Sequence, residues 1–280
     1  MMKTPQFIFL ASLLASITCI AASDSPPIVV CYPGGPVNAD DANAAMGSML
    51  RVVERVGHWQ AGSLDSLFTA KADECRKLMD EKNPKFAITS LGVFLEQQER
   101  HHLVPVVQPK IKGQTFERYR VIVQKGKYMS LEELKGKTLG GTVLEEPAFI
   151  GKIVFAGKYD PASFFQLKSS NLAIRALRSL DKGEMDAVIL NEQQFNGLAS
   201  LNLNNPVEVI FTSEEIPLMG MVADSLNSTA DERTRLGNAL AGMCSDSEGK
   251  KLCQLFGVDS FAIVDSAQFE PMTKLWKEGK

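Results

Sequence analysis

Apolar and polar positions along this chain of 280 residues follow two alternating periods, one typical of strands and the other of helices. Short apolar runs at Ile28 to Tyr32 and Lys85 to Thr89 predict buried strands. Between them, Asp40 to Val56 and Ala72 to Glu81 have the spacing of amphipathic helices. Strands that alternate with helices predict a largely parallel sheet with helices on its faces.

The alternation restarts in the middle of the chain. Phe116 to Gln124 predicts a strand, and Ser130 with Glu133 has the pattern of a capping box before a short helix. Pro147 suits the first turn of another helix, predicted to extend to Ala156. The series ends with strands and helices that reach about residue 212. These residues therefore predict a second α/β unit.

A third series of elements closes the chain. Leu218 to Ala223 predicts a strand, and Ala230 to Met243 predicts an amphipathic helix. A capped helix follows Ser245, and Phe261 to Val264 predicts a strand. Asp265 begins a capping-box pattern before the last helix.

The N-terminus has the features of a secretory signal. Lys3 precedes an apolar run from Phe7 to Ile20, which is too short for a membrane span and suits a signal h-region. Residues 1–23 are therefore predicted to be a signal peptide that is cleaved near Ala21 to Ser23. Cys19 leaves a lipoprotein alternative open, although Ser16 to Thr18 is a poor lipobox. The mature protein is expected to be periplasmic or secreted.

Composition narrows the class of protein further. The formal net charge is -3 and 45% of the residues are hydrophobic, which is ample for a packed core. The chain has no basic patch of the kind that nucleic-acid-binding proteins present, so no nucleic acid is expected as a partner. The chain contains neither a phosphate-binding Walker motif nor a Gly-x-Gly-x-x-Gly motif, and no cofactor is predicted.

Four cysteines remain after the predicted cleavage. Cys244 and Cys253 flank a turn that could bring them within bridging range. For Cys31 and Cys75, a disulfide and two buried thiols are equally good interpretations. The spacings of the cysteines and the three histidines match no zinc pattern, and no metal site is predicted.

Several short sequence stretches are each weak evidence for a protein family, but their order along the chain is more specific than any one of them. This order resembles that of the periplasmic solute-binding proteins of bacterial ABC uptake systems, in their phosphate/phosphonate-type branch. The first half contributes chiefly Phe86 to Ser90. The stronger stretches are Tyr119 to Thr142, Ala173 to Leu180 with Lys182 to Ile189, Thr212 to Pro217, and Ser247 to Lys250 with Phe256 to Val258 and Phe261.

The resemblance implies a two-lobed α/β fold of the type II periplasmic-binding-protein-like class. Each lobe would be a mixed sheet flanked by helices, with the ligand cleft between the lobes. Residues 24–112 plus 214–280 would form lobe 1 and residues 113–213 lobe 2, with a hinge near Lys112 to Gly113 and Ser213 to Ile216. The implied function is capture of a small polar, oxyanionic solute, phosphonate-like or phosphate-like, by a monomer that delivers it to a membrane permease.

In such a fold, the carboxyl ends of strands from both lobes line the cleft. Hydroxyl groups and exposed N–H groups at these positions suit an oxyanion. Tyr32 is interpreted equally well as packing on Pro33, and helix capping is an alternative role for Ser90 and Asn191. The candidate ligand-binding residues are Tyr32, Thr89, Ser90, Gly141, Thr142, Asn191 and Glu192.

One departure from the family pattern lies at the start of the helix predicted at Pro147. The phosphonate-binding branch has a turn rich in Ser, Thr and Gly there, whereas this chain keeps a hydroxyl only at Thr142. Glu145 and Glu146 occupy the remaining part of the turn. We interpret them as residues of the first helical turn that stabilise the helix through its dipole.

Two alternative functions are compatible with the same fold. Cys31, at the cleft end of a strand, could be the nucleophile of an enzyme that acts on thiamine-like compounds. A ligand-sensing module is the other alternative. The histidines have no Gly-x-Ser-x-Gly partner, so a serine hydrolase is not predicted. The sequence favours a binding protein over an enzyme.

Overall fold

The computed structural model describes residues 26–35 and 38–279. The predicted signal peptide, with its cleavage site and Cys19, lies outside the described residues. In the two described ranges, no helix is both long enough and apolar enough to cross a membrane.

Strands and helices alternate along the described chain. The strands are β1 (Ile28–Cys31), β2 (Ser66–Thr69), β3 (Phe86–Thr89), β4 (Leu103–Lys110), β5 (Phe116–Glu117), β6 (Arg120–Gln124), β7 (Thr138–Gly141), β8 (Gln166–Ser169), β9 (Ala187–Leu190), β10 (Val207–Thr212), β11 (Ile216–Pro217), β12 (Met221–Asp224) and β13 (Ser260–Ile263). The α-helices are α1 (Ala39–Val56), α2 (Ala72–Lys82), α3 (Leu91–Gln97), α4 (Pro147–Phe149), α5 (Pro161–Phe164), α6 (Ala173–Asp181), α7 (Glu192–Leu198), α8 (Ala230–Met243), α9 (Ser247–Phe256) and α10 (Glu270–Glu278).

Two separate mixed sheets form the framework, as the sequence predicts. The first has the order β13-β4-β12-β3-β1-β2, with β1 parallel to both of its neighbours. The second has the order β10-β6-β9-β7-β8, in which β7 is parallel to β8 and β9. β12 and β13 come from the end of the chain and join the first sheet in antiparallel orientation, so the chain leaves that sheet and returns to it.

The chain passes between the sheets at a small two-stranded ribbon. β5 and β11 pair in antiparallel orientation, with Ile216 opposite Glu117 and Pro217 opposite Phe116. Ser213 also contacts this crossing, because its hydroxyl accepts the backbone N–H of Tyr119 at 2.9 Å. The predicted hinge residues adjoin the ribbon, and the lobe boundaries near residues 112 and 213 stay a prediction.

The structure corrects several details of the predicted elements. The predicted strand Phe116 to Gln124 is divided into β5 and β6. The predicted helix from Pro147 is α-helical only as α4 and continues as a π-helix over Ile150–Val154. The Ser130 capping box does not form: a 3-10 turn spans Glu132–Leu134, and Glu133 accepts the backbone N–H of Met129 at 3.0 Å instead. The conformation of such a short element depends more on its packing against neighbouring elements than on its own capping residue.

Both pairs of cysteines are disulfides. Cys244 and Cys253 join the end of α8 to α9 with Cα atoms 5.8 Å apart, so the bridge that the sequence left open is present. Cys31 and Cys75 join β1 to α2 with Cα atoms 5.5 Å apart. The interpretation of Cys31 and Cys75 as free thiols is therefore wrong, and so is that of Cys31 as a nucleophile, because a disulfide sulfur carries no thiolate.

The apolar core occupies both faces of the first sheet. On one face, Val30 packs with Leu50 of α1 and Leu240 of α8. On the other face, a larger buried cluster includes Val29 of the first sheet and Val121 of the second. This cluster is continuous from the first sheet to the second, and α3 and α10 contact α4 and the π-helix between them.

Candidate functional site

Loops from the two lobes meet at the carboxyl ends of β1, β3 and β7. The Ser90 hydroxyl donates to Glu146 Oε1 at 2.8 Å, across 56 residues of chain. A Cβ atom at Gly34 would collide with the carbonyl oxygen of Thr142, and one at Gly92 would collide with the Glu146 carboxylate. Glycine at both positions therefore allows the close approach of the lobes.

Ser90 combines a structural role with this contact. Its hydroxyl oxygen accepts the backbone N–H of Val93 at 3.1 Å and so caps α3. The same group donates its proton to Glu146. The capping role that the sequence suggested is thus confirmed, and it coexists with a contact between the lobes.

Glu146 enters the cleft instead of serving the helix that follows it. Burial raises the pKa of its carboxyl group to about 7, and the hydrogen bond from Ser90 opposes this shift. The negative charge of Glu96 raises the pKa further, whereas the N–H of Val93 favours the ionised form. The interpretation of Glu146 as a first-turn residue that stabilises its own helix is wrong, since its side chain makes no capping bond there.

A second carboxylate lies at the strand that enters the second lobe. Glu117 Oε1 accepts the Tyr119 hydroxyl at 2.9 Å. Burial raises the pKa of Glu117 to about 7, although the Tyr119 hydroxyl and the backbone N–H of Glu192 favour the charged form. Glu117 thus connects the crossing strands to the start of α7.

Two tyrosines accompany these carboxylates. Tyr32 is 47% exposed. Desolvation nevertheless raises the pKa of its hydroxyl to about 12, with smaller effects from the charges of Glu117 and Glu146. The pKa of Tyr119 lies well above 10, for which burial is the largest cause, followed by Glu117. Both hydroxyls are therefore neutral donors at physiological pH, and that of Tyr119 donates to Glu117.

Thr89 is the most deeply placed candidate. It is 2% exposed and lies opposite Cys31 at the end of β3. Its hydroxyl has no hydrogen-bond partner among the described residues, and the same is true of the side-chain oxygen of Gln108 on β4. Buried polar atoms nearly always have a partner, so an unsatisfied hydroxyl beside Ser90 marks a position for a further polar group.

On the second lobe, the structure places Gly141 and Thr142 at the end of β7. A Cβ atom at Gly141 would come 2.7 Å from the carbonyl oxygen of Ile189. Thr142 is 4% exposed, and its Oγ1 accepts the side-chain amide of Gln194 at 2.8 Å. This contact leaves the hydroxyl proton of Thr142 free to donate.

Asn191 and Glu192 follow β9 and have mainly structural partners. Asn191 caps α7 by accepting the backbone N–H of Gln194 at 2.9 Å, within a complete capping box. The Glu192 carboxylate forms an ion pair with Arg120 at 2.9 Å. The guanidinium of Arg120 also lies 4.4 Å from the ring centre of Phe195. The capping role of Asn191 is confirmed, and a ligand role for either residue stays a prediction.

The structure brings Tyr32, Ser90 and Thr142 to the junction of the lobes, with Thr89 directly behind Ser90. The residues that sequence reasoning did not name as part of the site are Glu117, Glu146 and Arg120. The alternation of Glu117, Tyr119 and Val121 along one extended segment was a signal that the two polar side chains share a face.

Two mixed sheets, a chain that crosses between them twice and polar strand ends at their junction define a two-lobed binding protein of the type II periplasmic class. The model of the family described as "ABC transporter, phosphonate, periplasmic substrate-binding protein" matches residues 46–269. The chain belongs to this family. None of the curated proteins matches the chain in sequence.

Solved structures share the fold at low sequence identity. A binding protein component of an ABC phosphonate transporter from Pseudomonas aeruginosa is 18% identical, with a TM-score of 0.68 over 90% of this chain and 86% of that one. A Prochlorococcus marinus protein in complex with methylphosphonate is 13% identical, with a TM-score of 0.63 over 90% and 98%. A Xanthomonas citri protein bound to ATP is 13% identical, with a TM-score of 0.68 over 90% and 96%.

Proposed function

We propose that this protein is exported, captures a small polar solute between its two lobes and presents the closed form to an ABC-type permease. The observation that carries the proposal is the hydrogen bond from Ser90 to Glu146, which joins the two lobes at half-buried helix starts in a member of a substrate-binding family. A solute that bridged the same positions would stabilise the closed form, and closure would couple binding to docking.

We further propose that the lobes divide as the sequence indicates, at 24–112 plus 214–280 and at 113–213, and that the protein is a monomer. The β5–β11 ribbon supports the first point, because it ties together the two segments that cross. We also propose that the signal peptide is cleaved near Ala21 to Ser23. Mass spectrometry of the exported protein tests this cleavage, and an intact Met1 would contradict it.

The family description names phosphonates, and the sequence predicts an oxyanionic solute. The hydroxyl groups of Thr89 and Thr142 support this version, because each can donate to an oxyanion. The Ser90 hydroxyl already donates its one proton to Glu146. Glu117 and Glu146 oppose it, because a bound anion would approach two carboxylates.

We infer transport and not catalysis. The family consists of substrate-binding proteins of transporters, and the one nucleophile that the sequence offered, Cys31, is held in a disulfide. A sensing role stays an alternative on the same fold, and deletion of the gene separates the two. Loss of solute uptake supports transport, whereas unchanged uptake with a lost transcriptional response supports sensing.

Isothermal titration of the mature protein against phosphate, phosphite, alkylphosphonates, sulfate, sugars and amino compounds tests solute binding. Small-angle scattering with and without the solute that binds tests closure. We expect one class of solute to bind and to make the protein more compact. A protein that binds none of these classes contradicts the proposed function.

A further inference from the structure

The last helix of the described chain, α10, contacts elements of both sheets. Along the chain it follows β13 of the first sheet. Its neighbours are α3, which follows β3 of the first sheet, and the π-helix Ile150–Val154, which lies between β7 and β8 of the second sheet. A helix that packs on both lobes must lose contacts on one side when the lobes separate.

The start of α10 is fixed on the first lobe. Phe269, which directly precedes α10, is 1% exposed. Its ring packs edge-on against that of Phe94 of α3, with 5.9 Å between the ring centres. One turn further, the Thr273 hydroxyl donates to Gln98 Oε1 at 3.1 Å. Because the ring contact belongs to the buried core, this end of α10 should stay with α3 when the lobes move.

The far end of α10 lies on the second lobe. Lys152 of the π-helix donates to the carbonyl oxygen of Trp276 at 3.2 Å, and its ammonium group lies 5.4 Å from the centre of the Trp276 ring. The carbonyl groups in the last turn of a helix have no partner within that helix, and a cation is favourable there. Lys152 therefore caps α10 from the other lobe.

The surrounding chain packs closely on this contact. A Cβ atom at Gly279 would lie 3.1 Å from Lys152 Cγ, so the aliphatic part of the lysine packs against the end of α10. A Cβ atom at Gly157 would lie 3.7 Å from the Cα atom of Gly279. Trp276 packs against the buried apolar cluster that includes Ile153 of the π-helix. Polar and apolar contacts thus hold the end of α10 on the second lobe together.

The segment beneath the end of α10 also forms the contact between the lobes. Glu146, which accepts the Ser90 hydroxyl, directly precedes α4, and the π-helix continues α4. Phe149 of α4 lies against α3, since a Cβ atom at Gly92 would come within 2.9 Å of its Cβ atom. π-Helical turns are rare and are often found at functional sites. One short segment therefore contacts α3 at its start and α10 at its end, so α10 can affect whether the lobes stay together.

We propose that α10 (Glu270–Glu278) is a strap that favours the closed arrangement of the lobes, anchored on the first lobe by Phe269 and held on the second by Lys152. This inference rests on the proposed function, because it assumes lobes that open and close. The contacts of Lys152 with α10 break when the lobes separate, so they raise the share of closed protein with or without a solute. The strap thereby sets how much of the solute-free protein is open to receive a solute.

Hydrogen exchange of the solute-free mature protein, measured by mass spectrometry, tests the strap. Lys152→Met keeps most of the aliphatic stem and removes the charge, so the hydrogen bond and the contact with the Trp276 ring are lost. We expect the ratio of open to closed protein to rise by about tenfold. Exchange in α3 and α4 should become faster by a similar factor, because these helices cover each other in the closed arrangement. Exchange in β9, which is buried within the second sheet, should not change.

The fluorescence of Trp276 reports on the strap directly. The chain has two tryptophans, so Trp276 is the single one in a Trp59→Phe variant. On that background, Lys152→Met should make Trp276 more accessible to quenching by acrylamide. Lys152→Arg keeps a cation and a donor, and it should restore most of the wild-type behaviour in both measurements.

Lys274→Met is the matched control. Lys274 lies on the same helix, its side chain is 74% exposed, and it pairs with Glu278 of α10 at 3.9 Å. Its variant removes one lysine charge without touching the contact between α10 and the π-helix. Exchange and quenching should both match wild type.

Three results overturn the inference. In the first, Lys152→Met exposes Trp276 but leaves exchange in α3 and α4 unchanged, so that α10 is released without an effect on the lobes. In the second, exchange rises equally in β9, so that Lys152 stabilises the whole fold. In the third, neither measurement changes, so that Lys152 does not hold α10. Because both measurements are made without a solute, each of these results leaves the proposed function standing, and a negative solute titration leaves the strap standing.

Discussion

The two sheets are stabilised by different kinds of contact, although they have similar architecture. In the described residues, both disulfides belong to the elements around the first sheet, where they join β1 to α2 and α8 to α9. Around the second sheet, the carboxylate of Asp186 joins neighbouring elements through several hydrogen bonds. Asp186 accepts the backbone N–H and the hydroxyl of Thr138 at 3.0 Å and 2.9 Å and the Tyr128 hydroxyl at 2.7 Å.

The difference shows where each lobe can tolerate change. The Cys31–Cys75 bridge directly precedes Tyr32, so it fixes one side of the cleft covalently. Asp186 precedes β9, whose far end leads to Asn191 and Glu192. The second sheet therefore depends on an ionised group, and the first on an oxidising compartment, which agrees with the periplasmic location of the family. A reducing agent should therefore destabilise the first lobe, whereas low pH should destabilise the second.

Removal of the Cys31–Cys75 bridge should have the largest effect on stability. The bridge closes 44 residues of chain, for which the entropy of loop closure gives about 4 kcal/mol. Cys244→Ala with Cys253→Ala opens only 9 residues and should cost about 2.5 kcal/mol. Urea unfolding of the two double-alanine variants measures both. A larger loss from the shorter loop would contradict the comparison.

Asp186→Asn should destabilise the second lobe by about 1.5–3 kcal/mol, since hydrogen bonds to a charged acceptor are lost. Burial opposes the charge of Asp186, but the hydrogen bonds from Tyr128 and Thr138 outweigh it and hold the pKa well below the usual value. A depressed pKa stabilises the fold above the unfolded pKa, near 3.8, and this stability is lost as pH falls towards the folded pKa.

Unfolding of wild type and Asp186→Asn between pH 7 and pH 2 measures this effect. Their difference should be full at neutral pH and should shrink below about pH 4. The exposed Asp231→Asn variant, which also removes one charge, should match wild type throughout. A difference that persists unchanged at pH 2 would mean that packing, and not charge, decides the effect.

Local signals in the sequence predicted most of the fold. Helix α8 has the predicted bounds, because its capping residue and apolar spacing lie within a few residues of each other. The Ser130 box failed because only a 3-10 turn forms there, and the π-helix after α4 depends on packing against α10. Sequence spacing carries no information on such packing.

The candidate site was only partly predictable. Strand ends predicted Tyr32, Ser90 and Thr142 as cleft residues, since parallel strands end at one edge of a sheet, and the structure places them where the two lobes meet. Their role in binding a ligand stays a prediction. Glu146 was misinterpreted because its partner, Ser90, is 56 residues away and belongs to the other lobe. Glycine at position 92 permits that contact, but the sequence does not indicate which distant side chain a helical glycine makes room for.

Ser90→Ala should weaken solute binding by about tenfold, because the hydroxyl at the junction of the lobes is lost. It should also lower stability by about 1 kcal/mol, because α3 loses its cap on Val93. Ser90→Thr keeps a hydroxyl and should restore both. Titration and thermal melting of the two variants test this, and unchanged affinity in Ser90→Ala would place the cleft elsewhere.

The stability of the solute-free protein should fall as pH rises from about 4.5 to about 7. Glu117 and Glu146 both have folded pKa values of about 7, above the usual 4.5, so the folded state binds more protons in this window. Both side chains are partly exposed, so solvent screens their charges. We therefore expect the free energy of unfolding to fall by about 1 kcal/mol, which corresponds to roughly 2–4 °C in Tm. The double variant Glu117→Gln with Glu146→Gln should lose this dependence; a Tm that rises from pH 4.5 to 7 in wild type would contradict it.

Thr142→Ala should have the smallest effect and should distinguish the two sides of the junction. The Thr142 hydroxyl oxygen accepts Gln194 within its own lobe at 2.8 Å, so its loss should cost about 1 kcal/mol of stability. Its free proton can still donate to a solute, so affinity should also fall, but less than in Ser90→Ala. Gln194→Ala removes this internal bond together with the capping-box bond from the Asn191 N–H, but it keeps the Thr142 hydroxyl, so it should lower Tm without changing affinity. Equal affinities of the two variants would show that Thr142 serves only its own lobe.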